Sequence, residues 1–149
     1  MKTKEEFFQF SNKREKEFNK FYESKEWKYK RIIGKENKDY DCLIEIRDTW
    51  YKIEEKSQEK EWPSLLVETI QDTKSNNPGW LYYTKADYLF YENGKDIIYA
   101  IDMKKLKGFV DRHKDNFETK YSKKGWGNTE FILIPWYTII DNKIGKRIK

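Results

Sequence analysis

The sequence has one cysteine and one histidine, and it has no long apolar run. Its one cysteine, Cys42, cannot form an internal disulfide, and because the one histidine, His113, lies far along the chain, a buried core role is expected for Cys42 rather than a nucleophilic one. No apolar run approaches the roughly 18 residues of a membrane span. The first ten residues, MKTKEEFFQF, lack the apolar core of a secretory signal. The sequence thus predicts a cytoplasmic protein with no membrane partner.

What the chain has in abundance is charge and aromatic residues. Charged residues make up 38% of the 149 residues and aromatic residues 17%, so a single domain spanning 1–149 would build its core largely from Phe, Tyr and Trp. From Met103 onward the chain has twelve Lys and Arg but only five Asp and Glu, whereas the preceding residues have a slight excess of acids. This asymmetry is typical of a metal-dependent enzyme acting on polyanions, and equally of a solvated lysine-rich face.

The periodicity of apolar residues predicts an α/β (α+β) domain in which helices flank a mixed sheet with an antiparallel meander. Pro63 introduces one of the strands, and Asn93-Gly94 is a strong hairpin signal. The predicted helices are 4–26 and 103–121, and the predicted strands are 41–47, 50–56, 65–70, 88–91, 97–101 and 131–136.

The stretch from Asp41 to Lys56, DCLIEIRDTWYKIEEK, brings acids and a lysine onto two neighbouring strands. With a turn at 48–49, Asp41 would face Lys56, and because side chains repeat every second residue, Glu54 would share that face. A register slip of one residue would instead send Asp41 to the opposite face. The spacing therefore predicts a cluster of Asp41, Glu54 and Lys56.

Two carboxylates beside a lysine suit a hard divalent cation. Mg²⁺ prefers oxygen ligands and usually binds through one or two carboxylates together with substrate phosphate, and Mn²⁺ is a candidate substitute. Lys56 would then orient the attacking water or help to deprotonate it, and its ammonium would counter developing charge. The alternative is a solvent-facing hairpin with an Asp–Lys cross-strand pair worth only a few tenths of a kcal/mol.

The same residues resemble the core motif of the PD-(D/E)xK nuclease superfamily. Asp41 precedes an apolar strand, and Ile53-Glu54-Glu55-Lys56 follows on the next one. The likeness is closer to uncharacterised bacterial and phage members of that superfamily, which share a Pro-led strand with a Glu, a Gly-Trp-Leu segment and a Lys-rich approach to an aromatic strand. These features stand here at Pro63 with 66–68, at 79–81 and at 84–90.

The resemblance implies a restriction-endonuclease-like core and a catalytic set of Asp41, Glu54 and Lys56. It also implies Mg²⁺ held by Asp41, Glu54 and the Glu55 carbonyl. Asp39 shares a strand face with Asp41 and is an alternative ligand. Further candidate ligands are the glutamates Glu68, Glu15 and Glu17, for which a strand-end pair or a solvated helix edge is the alternative.

The implied substrate is DNA, and RNA stays open. Lys85, Lys123 and Lys124 are the candidate nucleic-acid contacts, with plain surface lysines as the alternative. Cutting two strands takes two sites, so a homodimer is a candidate assembly. The rival function is a catalytically inactive domain that binds nucleic acid or protein and retains the nuclease fold.

Overall fold

The computed structural model describes the backbone of residues 4–32, 39–124 and 127–149, and the side chains of residues 13–32, 39–122 and 128–149. Within these ranges the chain forms helices α1 (Lys4–Ser24), α2 (Trp80–Tyr83), α3 (Met103–His113) and α4 (Trp136–Asp141), with a 3-10 turn at Lys114–Asn116. The first strands are β1 (Lys28–Arg31), β2 (Cys42–Ile46), β3 (Thr49–Gln58), β4 (Ser64–Asp72) and β5 (Asn77–Pro78). The later strands are β6 (Tyr88–Asn93), β7 (Ile98–Asp102), β8 (Glu118–Lys124), β9 (Gly127–Pro135) and β10 (Gly145–Arg147).

The larger sheet has six strands in the order β1-β2-β3-β6-β7-β10. Strands β3 and β6 run parallel, with Glu54 beside Leu89 and Lys56 beside Tyr91, whereas the other described neighbours in this sheet are antiparallel. A parallel pair needs a long crossover connection. The crossover from β3 to β6 contains β4, β5 and α2.

The smaller sheet has the order β5-β4-β9-β8, and all its described pairs are antiparallel. Strand β4 begins after Pro63 and pairs with β9, so that Ser64 lies opposite Pro135 at the end of that strand. Proline cannot donate a hydrogen bond to a neighbouring strand, so the positions of Pro63 and Pro135 at strand ends are the ones that a sheet tolerates.

Two apolar clusters lie on opposite faces of the six-stranded sheet. Helix α1 covers one face and packs Phe18 and Tyr22 against Ile44 and Ile53. The other face packs against the smaller sheet and α3, with the buried residues Leu65, Val67, Leu89, Ile101, Leu106, Ile132 and Ile134. Aromatic rings contribute heavily to both clusters, as the composition predicts.

The structure confirms a mixed α and β protein built on a mixed multistranded sheet with helices. Helix α3 begins at Met103, where the side chain of Asp102 accepts a hydrogen bond from the Lys105 N–H at 3.0 Å. It ends at His113 rather than continuing to Tyr121 as predicted, because 118–124 pairs with β9 as a strand. None of the described helices is long and apolar enough to span a membrane.

Candidate functional site

Asp41 and Glu54 reach the same face of the six-stranded sheet through the hairpin of β2 and β3. Cys42 lies opposite Ile53, so Asp41, one residue earlier, comes beside Glu54. The N–H of Asp41 donates to the carbonyl of Ile53 at 2.9 Å, which fixes this end of the hairpin. Because Glu54 and Lys56 alternate with Ile53 along the strand, both face away from α1.

The hairpin turn differs from the predicted one by a single position. Arg47 and Asp48 form the turn, with φ angles of 50° and 63°, as a two-residue turn of type I′ requires. The residue opposite Asp41 therefore changes from Lys56 to Glu54. Since the partner shifts by two residues, the side chains keep the predicted face.

Glu54 is the centre of the cluster and is only 5% exposed. Its Oε1 lies 3.5 Å from Nζ of Lys56, and its Oε2 accepts a hydrogen bond from Oγ1 of Thr84 at 3.3 Å. The side chain of Lys56 is 34% exposed, so the ammonium is accessible from solvent. The cluster thus has a buried acid at its base and a lysine at its opening.

The electrostatics of the two acids reflect their burial. Burial raises the pKa of Glu54 to about 7, and the nearby charge of Asp41 adds to this effect, while Lys56 and Thr84 oppose it. The pKa of Asp41 is also raised, again mainly by burial, against the N–H of Glu55 and the charge of Lys56. For both carboxylates, the nearby donors and positive charge do not offset the cost of burying a negative charge. This favours binding of a proton or a cation between them.

Lys56 stays protonated in this environment. Burial lowers its pKa most strongly, but Glu54, Tyr83, Asp41 and Glu68 together outweigh that effect, and the net pKa is raised. An ammonium with a raised pKa is a poor general base at neutral pH. Its role in the cluster is therefore to donate hydrogen bonds and to supply positive charge.

Glu55 points to the opposite face of the sheet and lies beneath α1. Its carboxylate binds Arg31 through two hydrogen bonds of 2.7 and 3.0 Å and accepts another from the hydroxyl of Tyr22. Its backbone N–H donates to Oδ2 of Asp41 at 2.7 Å. Cys42 is fully buried beside it, and burial raises the pKa of that thiol, as expected for a core cysteine.

Glu68, in the middle of β4, lies close enough to Lys56 for its charge to raise the pKa of that lysine. Its Oε1 accepts a hydrogen bond from the N–H of Trp80 at 3.2 Å, which ties β4 to α2. Gly79 lies so close that a Cβ there would meet the Glu68 carbonyl oxygen at 2.3 Å. Glu68 thus both positions α2 and adds negative charge near the cluster.

Asp39 and Asp41 have different partners. The carboxylate of Asp39 pairs with Lys85 at 3.5 Å, and both side chains are largely exposed. The carbonyl of Asp39 accepts a hydrogen bond from the N–H of Lys85 at 3.0 Å and lies 3.2 Å from Oγ1 of Thr84, so it shares the single hydroxyl proton of Thr84 with Glu54. These contacts favour Asp41, which is held against β3, as the carboxylate that acts with Glu54.

The two candidate glutamates of α1 also separate. Oε1 of Glu15 lies 3.3 Å from Nε of Arg31, and its charge contributes to the raised pKa of Asp41. Glu17 instead raises the pKa of Glu92, on the side of α1 that also contacts Lys149. Of the two, only Glu15 has an electrostatic connection to the cluster.

Among the candidate nucleic-acid contacts, Lys85 has a side chain that is 70% exposed near the cluster. The backbone of Lys123 and Lys124 ends β8, but their side chains lie outside the described part of the chain. Sequence reasoning did not single out Lys107, whose Nζ donates to the Thr84 carbonyl at 3.3 Å. It also missed Thr84 itself. Both residues lie far from Glu54 in the sequence, so no local pattern connects them with it.

The residues present fit a hard cation only in part. Among the described residues, no three His, Cys, Asp or Glu side chains converge to hold a metal ion. Asp41 and Glu54 are two carboxylates with raised pKa values, and Mg²⁺ commonly takes its remaining ligands from water, main-chain carbonyls and substrate phosphate. The pair therefore fits Mg²⁺ bound together with substrate better than an all-protein cage.

Comparisons with known proteins add no relative to this description. No protein-family model, curated protein or solved structure matches the chain significantly. The candidate site is defined by the geometry of its own residues.

Proposed function

We propose that this chain is a Mg²⁺-dependent nuclease of the restriction-endonuclease-like class that hydrolyses DNA phosphodiester bonds. The observation that carries the proposal is the placement of Asp41, Glu54 and Lys56 on one face, with Oε1 of Glu54 3.5 Å from the lysine Nζ. The raised pKa values of both acids and the parallel pairing of β3 with β6 support it.

The chemistry assigns a separate task to each side chain. Asp41 and Glu54 provide the negative charge for a divalent ion, which when bound would offset phosphate charge and acidify a coordinated water. Lys56 donates hydrogen bonds to the attacking water and to a phosphoryl oxygen. The water oxygen attacks phosphorus and releases a proton to bulk solvent, while the bond to the leaving sugar oxygen breaks and that oxygen takes up a proton from solvent. The ammonium of Lys56 offsets charge that grows during this step.

The other residues of the site orient these groups. Thr84 holds one oxygen of Glu54, and the N–H of Glu55 holds one oxygen of Asp41. Because Thr84 directly follows α2 and Glu55 belongs to β3, the fold itself orients the two carboxylates before substrate arrives. Such preorganisation avoids part of the reorganisation cost during reaction.

The test incubates the purified protein with supercoiled plasmid, linear duplex, single-stranded DNA and RNA, each with Mg²⁺ or with EDTA. Mg²⁺-dependent products that disappear in Asp41→Asn are expected. Glu45→Gln is the matched control, because this acid lies on β2, which Asp41 directly precedes, and the alternation of side chains puts it on the same face four residues away. Salt-dependent binding without products on every substrate would instead identify the inactive binding domain.

A further inference from the structure

Helix α2 is a single turn that presents two tyrosines to solvent beside the proposed site. Trp80 and Leu81 anchor it in the core, with exposures of 4% and 0%, whereas Tyr82 and Tyr83 are 43% and 39% exposed. The N–H groups of both tyrosines donate to the carbonyl of Gly79 at 3.0 and 3.2 Å. The anchored turn therefore holds the side chains of both tyrosines at the surface.

Tyr83 lies next to the acids and the lysine. The following residue, Thr84, donates to Glu54, and the hydroxyl of Tyr83 lies within the electrostatic influence of Lys56 and Glu54. Tyr82 donates a hydrogen bond to Asp111 at 3.3 Å, but the Tyr83 hydroxyl has no such partner among the described residues. Tyr83 therefore keeps an exposed part of its side chain beside the cluster, where a phosphate would bind.

Lysines surround this turn. Nζ of Lys107 contacts the Thr84 carbonyl at 3.3 Å, Lys85 follows Thr84 directly in the chain, and Lys56 lies near enough for its charge to act on the Tyr83 hydroxyl. Aromatic rings interspersed with lysines match the two chemical parts of a nucleic acid, since bases stack on rings and phosphates pair with ammonium groups.

We propose that Tyr83, assisted by Tyr82, stacks on an unpaired base next to the scissile phosphate, so that the substrate is single-stranded nucleic acid or an unpaired segment. This inference rests on the proposed nuclease function. In a duplex, the faces of the bases are covered by their neighbours, and a ring at the site has no face to bind until a base is unstacked.

The experiment measures the anisotropy of fluorescein-labelled oligothymidine and of a duplex of equal length, in EDTA, so that binding is separated from hydrolysis. Stacking predicts that Tyr83→Ala weakens single-strand binding about 5- to 150-fold. Tyr83→Phe should stay within about twofold, because it retains the ring. Duplex affinity should change little in both variants. Tyr137→Ala is the matched control, because Tyr137 is 69% exposed on α4.

A second measurement uses the unaltered protein and does not depend on how any variant folds. An oligonucleotide with abasic sites keeps the phosphates and removes the bases, so stacking predicts weaker binding than to oligothymidine at equal salt. Equal affinity for the two, or an equal loss in Tyr83→Phe and Tyr83→Ala, would overturn the inference. Tyr83-dependent binding without cleavage under Mg²⁺ would sustain stacking and refute the nuclease. Mg²⁺-dependent cleavage at an unchanged rate in Tyr83→Ala would support the nuclease and refute stacking.

Discussion

The main-chain N–H of Glu55 donates a hydrogen bond of 2.7 Å to Oδ2 of Asp41, while the side chain of Glu55 is held on the other face of the sheet. There its carboxylate forms two hydrogen bonds with Arg31. The buried ion pair beneath α1 and the carboxylate of the candidate site are thus joined through a single residue of β3. Anything that displaces Glu55 should also displace Asp41.

Arg31→Met should destabilise the protein strongly. The side chains of Arg31 and Glu55 are 14% and 9% exposed, and removing one partner of a buried ion pair costs about 3–5 kcal/mol because the other charge stays buried. Urea unfolding measures the loss. Lys85→Met is the control, since its pair with Asp39 is exposed, and it should cost less than about 1 kcal/mol. Equal losses in both variants would show that the buried pair has no special weight.

The stability of the metal-free protein should fall as the pH rises from about 4.5 to 7. The pKa of Glu54 increases from its ordinary 4.5 to about 7 on folding, so the folded chain holds more protons than the unfolded chain in this window. At ~1.4 kcal/mol per pH unit, the loss attributable to Glu54 is at most about 3.5 kcal/mol.

Glu54→Gln isolates this contribution. Glu92 also has a pKa raised to about 7 by burial, so it lowers the stability over the same pH range. The contribution of Glu54 is therefore the difference between parent and variant in the slope of unfolding free energy against pH. The variant should lose less stability over the window, measured by urea unfolding at half-unit pH steps. Parallel curves for the two proteins would contradict a raised pKa for Glu54.

The hairpin of the site was predictable because its information is local. Alternation of apolar and polar residues in 42–46 and 49–58 defines the two faces of the hairpin. Asp41 and Glu54 keep a common face under any register shift of an even number of residues. The exact turn was not predictable, since Arg47 adopts a positive φ that its side chain disfavours. Strand pairing across the tight turn imposes that conformation.

The smaller sheet and the surroundings of the site depend on contacts between distant parts of the chain. Strand β4 pairs with β9, so that Ser64 lies opposite Pro135 and Ile70 opposite Glu130, 60 or more residues later in the chain. Thr84, Lys107 and Arg31 reach the site or its support from three separate elements. No local pattern marks such residues, and the aromatic-rich composition allows several ways to bury each strand.

Lys107→Ala should weaken nucleic-acid binding and reduce its dependence on salt. Its Nζ lies 3.3 Å from the carbonyl of Thr84, which places the ammonium beside the proposed path of the phosphates. Losing one phosphate contact lowers the slope of log affinity against log salt by about 0.7 for a single strand. Anisotropy titrations over a range of salt concentrations measure this slope.

Lys105 provides a matched control for that experiment. It lies on the same helix, and its Nζ also contacts a main-chain carbonyl at 3.3 Å, that of Lys143. Lys105→Ala should leave the slope unchanged. If both variants lower the slope equally, the whole of α3 contributes a diffuse field rather than a directed contact.

Lys56→Ala should remove most of the hydrolysis while leaving the fold and metal binding nearly intact. Asp41 and Glu54 supply the negative charge for the ion, and the ammonium of Lys56, 3.5 Å from Glu54, repels it. Alanine should therefore keep or slightly increase the affinity for Mn²⁺, measured by calorimetry. Cleavage under Mg²⁺ should fall about 10²–10³-fold, or roughly 3–4 kcal/mol, because hydrogen bonding to the transition state is lost.

The control for this variant is Lys52→Ala, on the same strand and the same face, four residues from Lys56. Lys52 is exposed and lies over the ring of Tyr40, so its removal should leave the rate within about twofold. Asp41→Ala should lose metal binding and cleavage together, because it removes a carboxylate of the pair. If Lys56→Ala cuts as fast as the parent while Asp41→Ala does not, Lys56 is only an ion-pair partner of Glu54, and another group must orient the water.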